Sequence, residues 1–171
     1  GDRAYFGRVG QGTLSGSVLE GTYAISYEAR PGASSLPVNT RALLDPTVLV
    51  NGLDDTTVMV EIVSPEVEID LTVAGEAPSK SAYDDGEILV RRAGSETRTV
   101  LGTTSQMVDG KLRAQLLEGD YEVFYAAEDR GLTMPHNTLG KIADVMPVNQ
   151  EQKKLAIDVP IVMVSGAIDF D

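Results

Sequence analysis

Polar and apolar residues alternate along much of this chain with a period of two. Val67, Ile69, Leu71 and Val73 are interleaved with Glu68, Asp70 and Thr72, the pattern of a strand with one face buried and one wet. Leu112, Ala114 and Leu116 alternate with Arg113 and Gln115, and the sets Tyr23, Ile25, Tyr27 and Tyr121, Val123, Tyr125 follow the same rule. Further strands are predicted over 3–10, 57–63, 87–92, 97–104 and 155–164. Turn residues separate the runs at Asp84-Asp85-Gly86, Ala93-Gly94-Ser95, Asp109-Gly110 and Asn51-Gly52. Only 136–146 has helical spacing, with Leu139, Ile142, Ala143 and Met146 on one face; 41–50, which holds Pro46, is expected to make at most one or two helical turns. Short strands at roughly 8–12-residue intervals predict an all-β sandwich.

The pattern also repeats. Residues 12–51 align without a gap on 110–149, an offset of 98, with 13 identities in 40 positions. Leu19-Glu20-Gly21-x-Tyr23 recurs as Leu117-Glu118-Gly119-x-Tyr121, Pro37 as Pro135, and Asn39-Thr40 as Asn137-Thr138. A domain-sized period of this kind, longer than a solenoid repeat, predicts two tandem β-sandwich modules, 1–64 and 65–171. The second is expected to have strands near 67–74, 87–92, 97–104, 111–117, 119–128 and 153–161, with the 139–148 segment between the last two. The first begins with 3–10, which matches 97–104, so it is expected to be incomplete and to lack its N-terminal strands. The chain falls about 25 residues short of two full copies of the 98-residue period. Residues 162–171 resemble the opening strand of a further copy, which makes Val162, Val164, Ile168 and Phe170 the candidate donor-strand residues. Three outcomes stay open: the strand fills the gap in the next subunit, the chain is a piece of a longer repeat protein, or the strand folds back on its own module.

The order strand, turn, strand, Asp109-Gly110, strand, Glu118-Gly119-Asp120-Tyr121-Glu122-Val123, together with Val164-Ser165-Gly166, resembles carboxypeptidase regulatory-like domains. Leu36-Pro37-Val38-Asn39 and Met134-Pro135-His136-Asn137 are similar to pieces of tandem repeats in bacterial surface lipoproteins. The resemblance implies a Greek-key, prealbumin-like topology and an extracellular or cell-surface setting, and brings no catalytic residue.

Composition narrows the chemistry. The 171 residues include 26 Asp+Glu against 14 Lys+Arg, for a net charge of −12, with one His and no Cys. Such a surface argues against nucleic-acid and anionic-membrane partners, and no apolar run reaches the ~18–20 residues of a spanning helix. The first residues show neither region of a signal peptide, which leaves the compartment open. His136 falls where the first copy has Val38, and reads as a packing or loop residue; one His without Cys builds no usual zinc site. Gly7-x-x-Gly10-x-Gly12 lacks the Lys-Ser/Thr of a P-loop and reads as a hairpin turn. No nucleophile–base pair is visible, so the chain is not expected to be an enzyme. Asn39, Thr40, Asn137 and Thr138 read as turn-closing side chains, with ligand contact as the lesser reading. Asp54-Asp55, Asp84-Asp85-Gly86-Glu87 and Asp109 read as turn carboxylates facing water. No cofactor is expected, with Ca²⁺ the one cation weighed, because a hard cation wants six to eight converging oxygens. Glu66, Glu68 and Asp70 read as a solvated face. The expected role is a structural subunit of a surface assembly, a head-to-tail homopolymer built by strand addition. The alternative is an extracellular module that binds carbohydrate or peptide on its loops.

Overall fold

The computed structural model describes residues 4–9, 12–29, 36–52, 55–78, 85–127 and 134–167. Nine strands account for its regular structure: β1 (Gly21–Tyr27), β2 (Ala42–Val50), β3 (Glu66–Val73), β4 (Gly86–Arg92), β5 (Thr99–Thr103), β6 (Lys111–Gln115), β7 (Gly119–Ala127), β8 (Gly140–Val148) and β9 (Lys154–Val159). The protein is all-β, and the only helical turn among the described residues is a 3-10 turn at Thr104–Gln106.

The chain divides into two compact units. Unit 1 is Gly1–Ser26 with Leu43–Glu61, and unit 2 is Tyr27–Ala42 with Ile62–Asp171. In unit 2, β3 pairs antiparallel with β6 and parallel with β9, giving the sheet β6-β3-β9. The second sheet, β5-β4-β7-β8, is antiparallel throughout. The alternation explains what lies between them. Val67, Ile69, Leu71 and Val73 of β3 share one core with Ile88 and Val90 of β4 and with Tyr121, Val123 and Tyr125 of β7. Inward faces of two sheets meeting in one core are consistent with a β-sandwich. On the outer face of β3, Glu68 bonds Lys111 at 2.7 Å and Arg113 at 2.8 Å. That face is therefore a cross-strand ion-pair ladder.

β1 and β2 form a two-stranded sheet. Their bounds lie 98 residues before Gly119–Tyr125 of β7 and before all of β8.

Several expectations need correction. Residues 136–146 do not form a helix, because 140–148 is strand β8. Its pairing with β7 shifts register twice, between Tyr121/Val123 and between Val123/Phe124. Each shift inserts an extra residue into β8, so Ile142, Ala143 and Met146 all come to face the core although their spacing is helical. Residues 42–50 likewise form strand rather than helical turns. Pro46 is tolerated because each strand of a two-stranded sheet has a free edge, and Asp45 Oδ1 accepts from the Thr47 N–H at 3.0 Å beside it. Residues 4–9 and 57–63 form no strand, and β9 stops at Val159 before Pro160, which has no N–H to donate. The glycine run at 7–12 makes no hairpin between strands, since neither 4–8 nor 14–19 is strand. Asp109-Gly110 closes a two-residue turn, as expected. Both residues have positive φ (53° and 76°), and Val108 and Lys111 exchange hydrogen bonds at 3.1 and 3.0 Å.

Candidate interface at residues 36–40 and 115–121

A densely bonded feature outside the sheets is the turn entering β7. Gly119 sits there at φ 147°, and Arg92 lies so close that a Cβ at this position would meet its Nε at 2.7 Å. The Arg92 guanidinium donates to the Glu118 carbonyl through Nε at 3.1 Å and Nη2 at 2.7 Å. Tyr121 turns its hydroxyl back on the turn and donates to the Leu117 carbonyl at 2.7 Å.

A loop from far earlier in the sequence is seated on this turn. The Asn39 side chain, 2% exposed, donates through Nδ2 to the Tyr121 hydroxyl at 2.8 Å and accepts at Oδ1 from the Leu117 N–H at 2.9 Å. Next to it the Val38 N–H donates to the Gln115 carbonyl at 2.9 Å, and the Thr40 N–H to Thr99 Oγ1 at 3.0 Å. The Asn39 side-chain amide and the Leu117 N–H are thereby satisfied in a buried setting, as burial requires. Burial pushes the Tyr121 phenol above its ordinary pKa, against the opposing hydrogen bond from Asn39, so the hydroxyl stays protonated and can both donate and accept.

The sequence reading of Asn39 as a local turn residue is corrected here: its partners lie 78 and 82 residues away. An Asn after Pro looks the same whether it closes its own loop or bonds a distant strand. The available signal was that Asn39 and the Leu-Glu-Gly-x-Tyr turn both recur at the same offset.

The local bonds that shape loop and turn recur at that offset too. Tyr27 donates to the Pro37 carbonyl at 2.8 Å and Tyr125 to that of Pro135 at 2.9 Å. The Ala29 N–H reaches the Asn39 carbonyl at 3.1 Å and the Ala127 N–H reaches that of Asn137 at 2.7 Å. Tyr23 donates to the Leu19 carbonyl at 2.5 Å, as Tyr121 does to Leu117.

Of the candidate donor-strand residues, Val162 and Val164 are 82% and 91% exposed and belong to no strand, while Ile168 and Phe170 lie outside the described residues. His136 is exposed beside Asn137 in the loop before β8. Asp85 does not face water as expected but is buried. Its Oδ1 accepts from the Gly86 N–H at 2.9 Å, Thr104 Oγ1 at 2.7 Å and the Ser105 N–H at 2.9 Å, and its Oδ2 from Ser105 Oγ. Burial alone would raise its pKa, but these hydrogen bonds outweigh it and hold the carboxyl at about 2. With both oxygens engaged, Asp85 is a structural acceptor. Asp54 and Asp84 lie outside the described residues, among which no group of three or more His, Asp or Glu could hold a cation.

No family model, curated protein or solved structure matches the chain.

Proposed function

We propose that the protein is a structural subunit of an extracellular or cell-surface assembly, made of two tandem prealbumin-like modules and joined head to tail by β-strand addition. The surface setting rests on the resemblance to repeats of bacterial surface proteins. The observation that carries the mechanism is the position of β3, the strand with which both β6 and β9 pair. Ninety-eight residues before β6 and β9 lie 13–17 and 56–61, and neither segment forms a strand. Met59, which aligns with the buried Ile157 of β9, is 96% exposed. Among the described residues neither segment has a β3-like strand to pair with, which is a reason for both to stay out of the sheet.

Residues 162–171 have the right character for that partner. Ile168 and Phe170 alternate with Asp169 and Asp171, as apolar and polar residues do in β3. Placed between 13–17 and 56–61 of a neighbouring molecule, the segment would gain main-chain hydrogen bonds on both edges and bury alternate side chains. The contact is heterologous and does not close on itself, so it builds rows rather than dimers.

Deleting 162–171 tests this. Light scattering should find large species for the full chain and their loss for the shortened one, and an unchanged size distribution would rule strand addition out. The fold should survive the deletion, since 160–167 form no strand and the core ends at Val159.

A further inference from the structure

We infer that residues 17–23 of one molecule form a socket for the loop 134–138 of a second copy of this chain, in the geometry that Val38 and Asn39 use within unit 2. Both halves of that contact occur twice in the sequence. One socket, 115–121, already holds its plug, 38–39. In the other socket and the other plug the matching contact residues face solvent: Leu19 is 80% exposed where Leu117 is 2% exposed, and Asn137 is exposed where Asn39 is buried.

Each uncovered half is already shaped for the other. On the socket side, the Tyr23 hydroxyl donates to the Leu19 carbonyl at 2.5 Å, which points its hydrogen inward and leaves an oxygen lone pair to accept. Tyr121 is in that state when it accepts from Asn39. On the plug side, the Tyr125–Pro135 and Ala127–Asn137 bonds hold the loop as their counterparts hold residues 37–39. Association therefore has little loop entropy to overcome.

The contact carries specific bonds. Asn137 Nδ2 donates to the Tyr23 hydroxyl of the neighbour, and its Oδ1 accepts from the Leu19 N–H. One bond of the internal contact has no counterpart, because the residue 98 before Thr99 is Gly1, which has no hydroxyl. The inference deepens the head-to-tail reading above and rests on it for the direction of assembly, but it uses different residues.

Two exposed positions provide the test, Leu19→Arg in the socket and Asn137→Ala in the plug, with circular dichroism confirming that both variants fold. In sedimentation velocity over a concentration series, each variant alone should associate at least roughly tenfold more weakly than the natural chain, since Asn137→Ala leaves the Tyr23 hydroxyl and Leu19 N–H of the contact without their partner and Leu19→Arg buries an unpaired charge in it. Mixed in equal amounts they should form a heterodimer more tightly than either variant associates alone, because the Leu19→Arg chain keeps an intact plug and the Asn137→Ala chain keeps an intact socket. Wild-type association in either variant, or no heterodimer in the mixture, overturns the socket. If both variants associate normally while deletion of 162–171 abolishes assembly, the socket fails and strand addition stands. If the deletion is harmless and both variants are crippled, the socket stands and strand addition fails. A natural chain that stays monomeric across the series overturns both.

Discussion

Gly86 has no side chain because Tyr125 occupies the space one would need. A Cβ built at Gly86 falls 2.2 Å from Cε2 and 2.6 Å from Cζ of that ring, which is 1% exposed and anchored through its hydroxyl to the Pro135 carbonyl. The ring cannot swing away without giving up both core packing and hydrogen bond. Gly86→Ala should therefore destabilise unit 2 by about 1–3 kcal/mol, the range for overpacking a rigid core, read as a lower denaturation midpoint. One residue away, Asp85 makes a prediction about pH. Its carboxyl is held at about 2 in the folded chain against an ordinary 3.8, so the folded state favours the ionised form. The stabilisation is complete above pH ~4 and is lost as pH falls towards 2, amounting to about 2 kcal/mol. An Asp85→Asn variant should lose stability at neutral pH and show a flatter stability profile between pH 4 and 2. A variant as acid-sensitive as the natural chain would assign that slope to other carboxylates, Glu68 first among them, since Lys111 and Arg113 hold it at about 2 as well.

Among the elements, those with undisturbed alternation were legible in the sequence. β3, β4 and β7 lie within a residue or two of their expected bounds because their core residues fall at alternate positions, and period two then fixes which residues point inward. β8 was misread because two bulges move its inward positions to 142, 143 and 146, a spacing that a helix produces as well. β2 is misread for the same reason, since 41–50 aligns with the helix-like segment and Pro46 then only shortens the expected helix, whereas a two-stranded ribbon tolerates it. Strand candidates 3–10 and 57–63 have suitable composition, but a strand exists only where another strand bonds to it. The site divides in the same way. The recurrence of Asn39 and of the Leu-Glu-Gly-x-Tyr turn was visible, whereas their bond across 78 and 82 residues depends on how the sheets fold back.

For the whole molecule, apolar burial is very unequal between the two units. The core of unit 2 draws on both of its sheets, while Val48 is the only buried apolar residue of unit 1 among those described. Tyr5, Leu19, Leu49 and Met59 of unit 1 are all more than 60% exposed, so apolar surface of a kind monomeric proteins usually cover is left facing solvent. Local stability follows local burial. Amides of β3, β4 and β7 should exchange with deuterium only through global unfolding, and those of β1 and β2 should exchange quickly in dilute solution. Assembly adds a second dependence. If neighbouring molecules supply what unit 1 lacks, protection of β1 and β2 must rise with protein concentration by mass action, while that of Ile69, Val90 and Val123 stays constant. Exchange followed by mass spectrometry from micromolar to several hundred micromolar protein separates the two behaviours. Fast exchange in β1 and β2 at every concentration would mean that the apolar surface of unit 1 is not covered by copies of this chain.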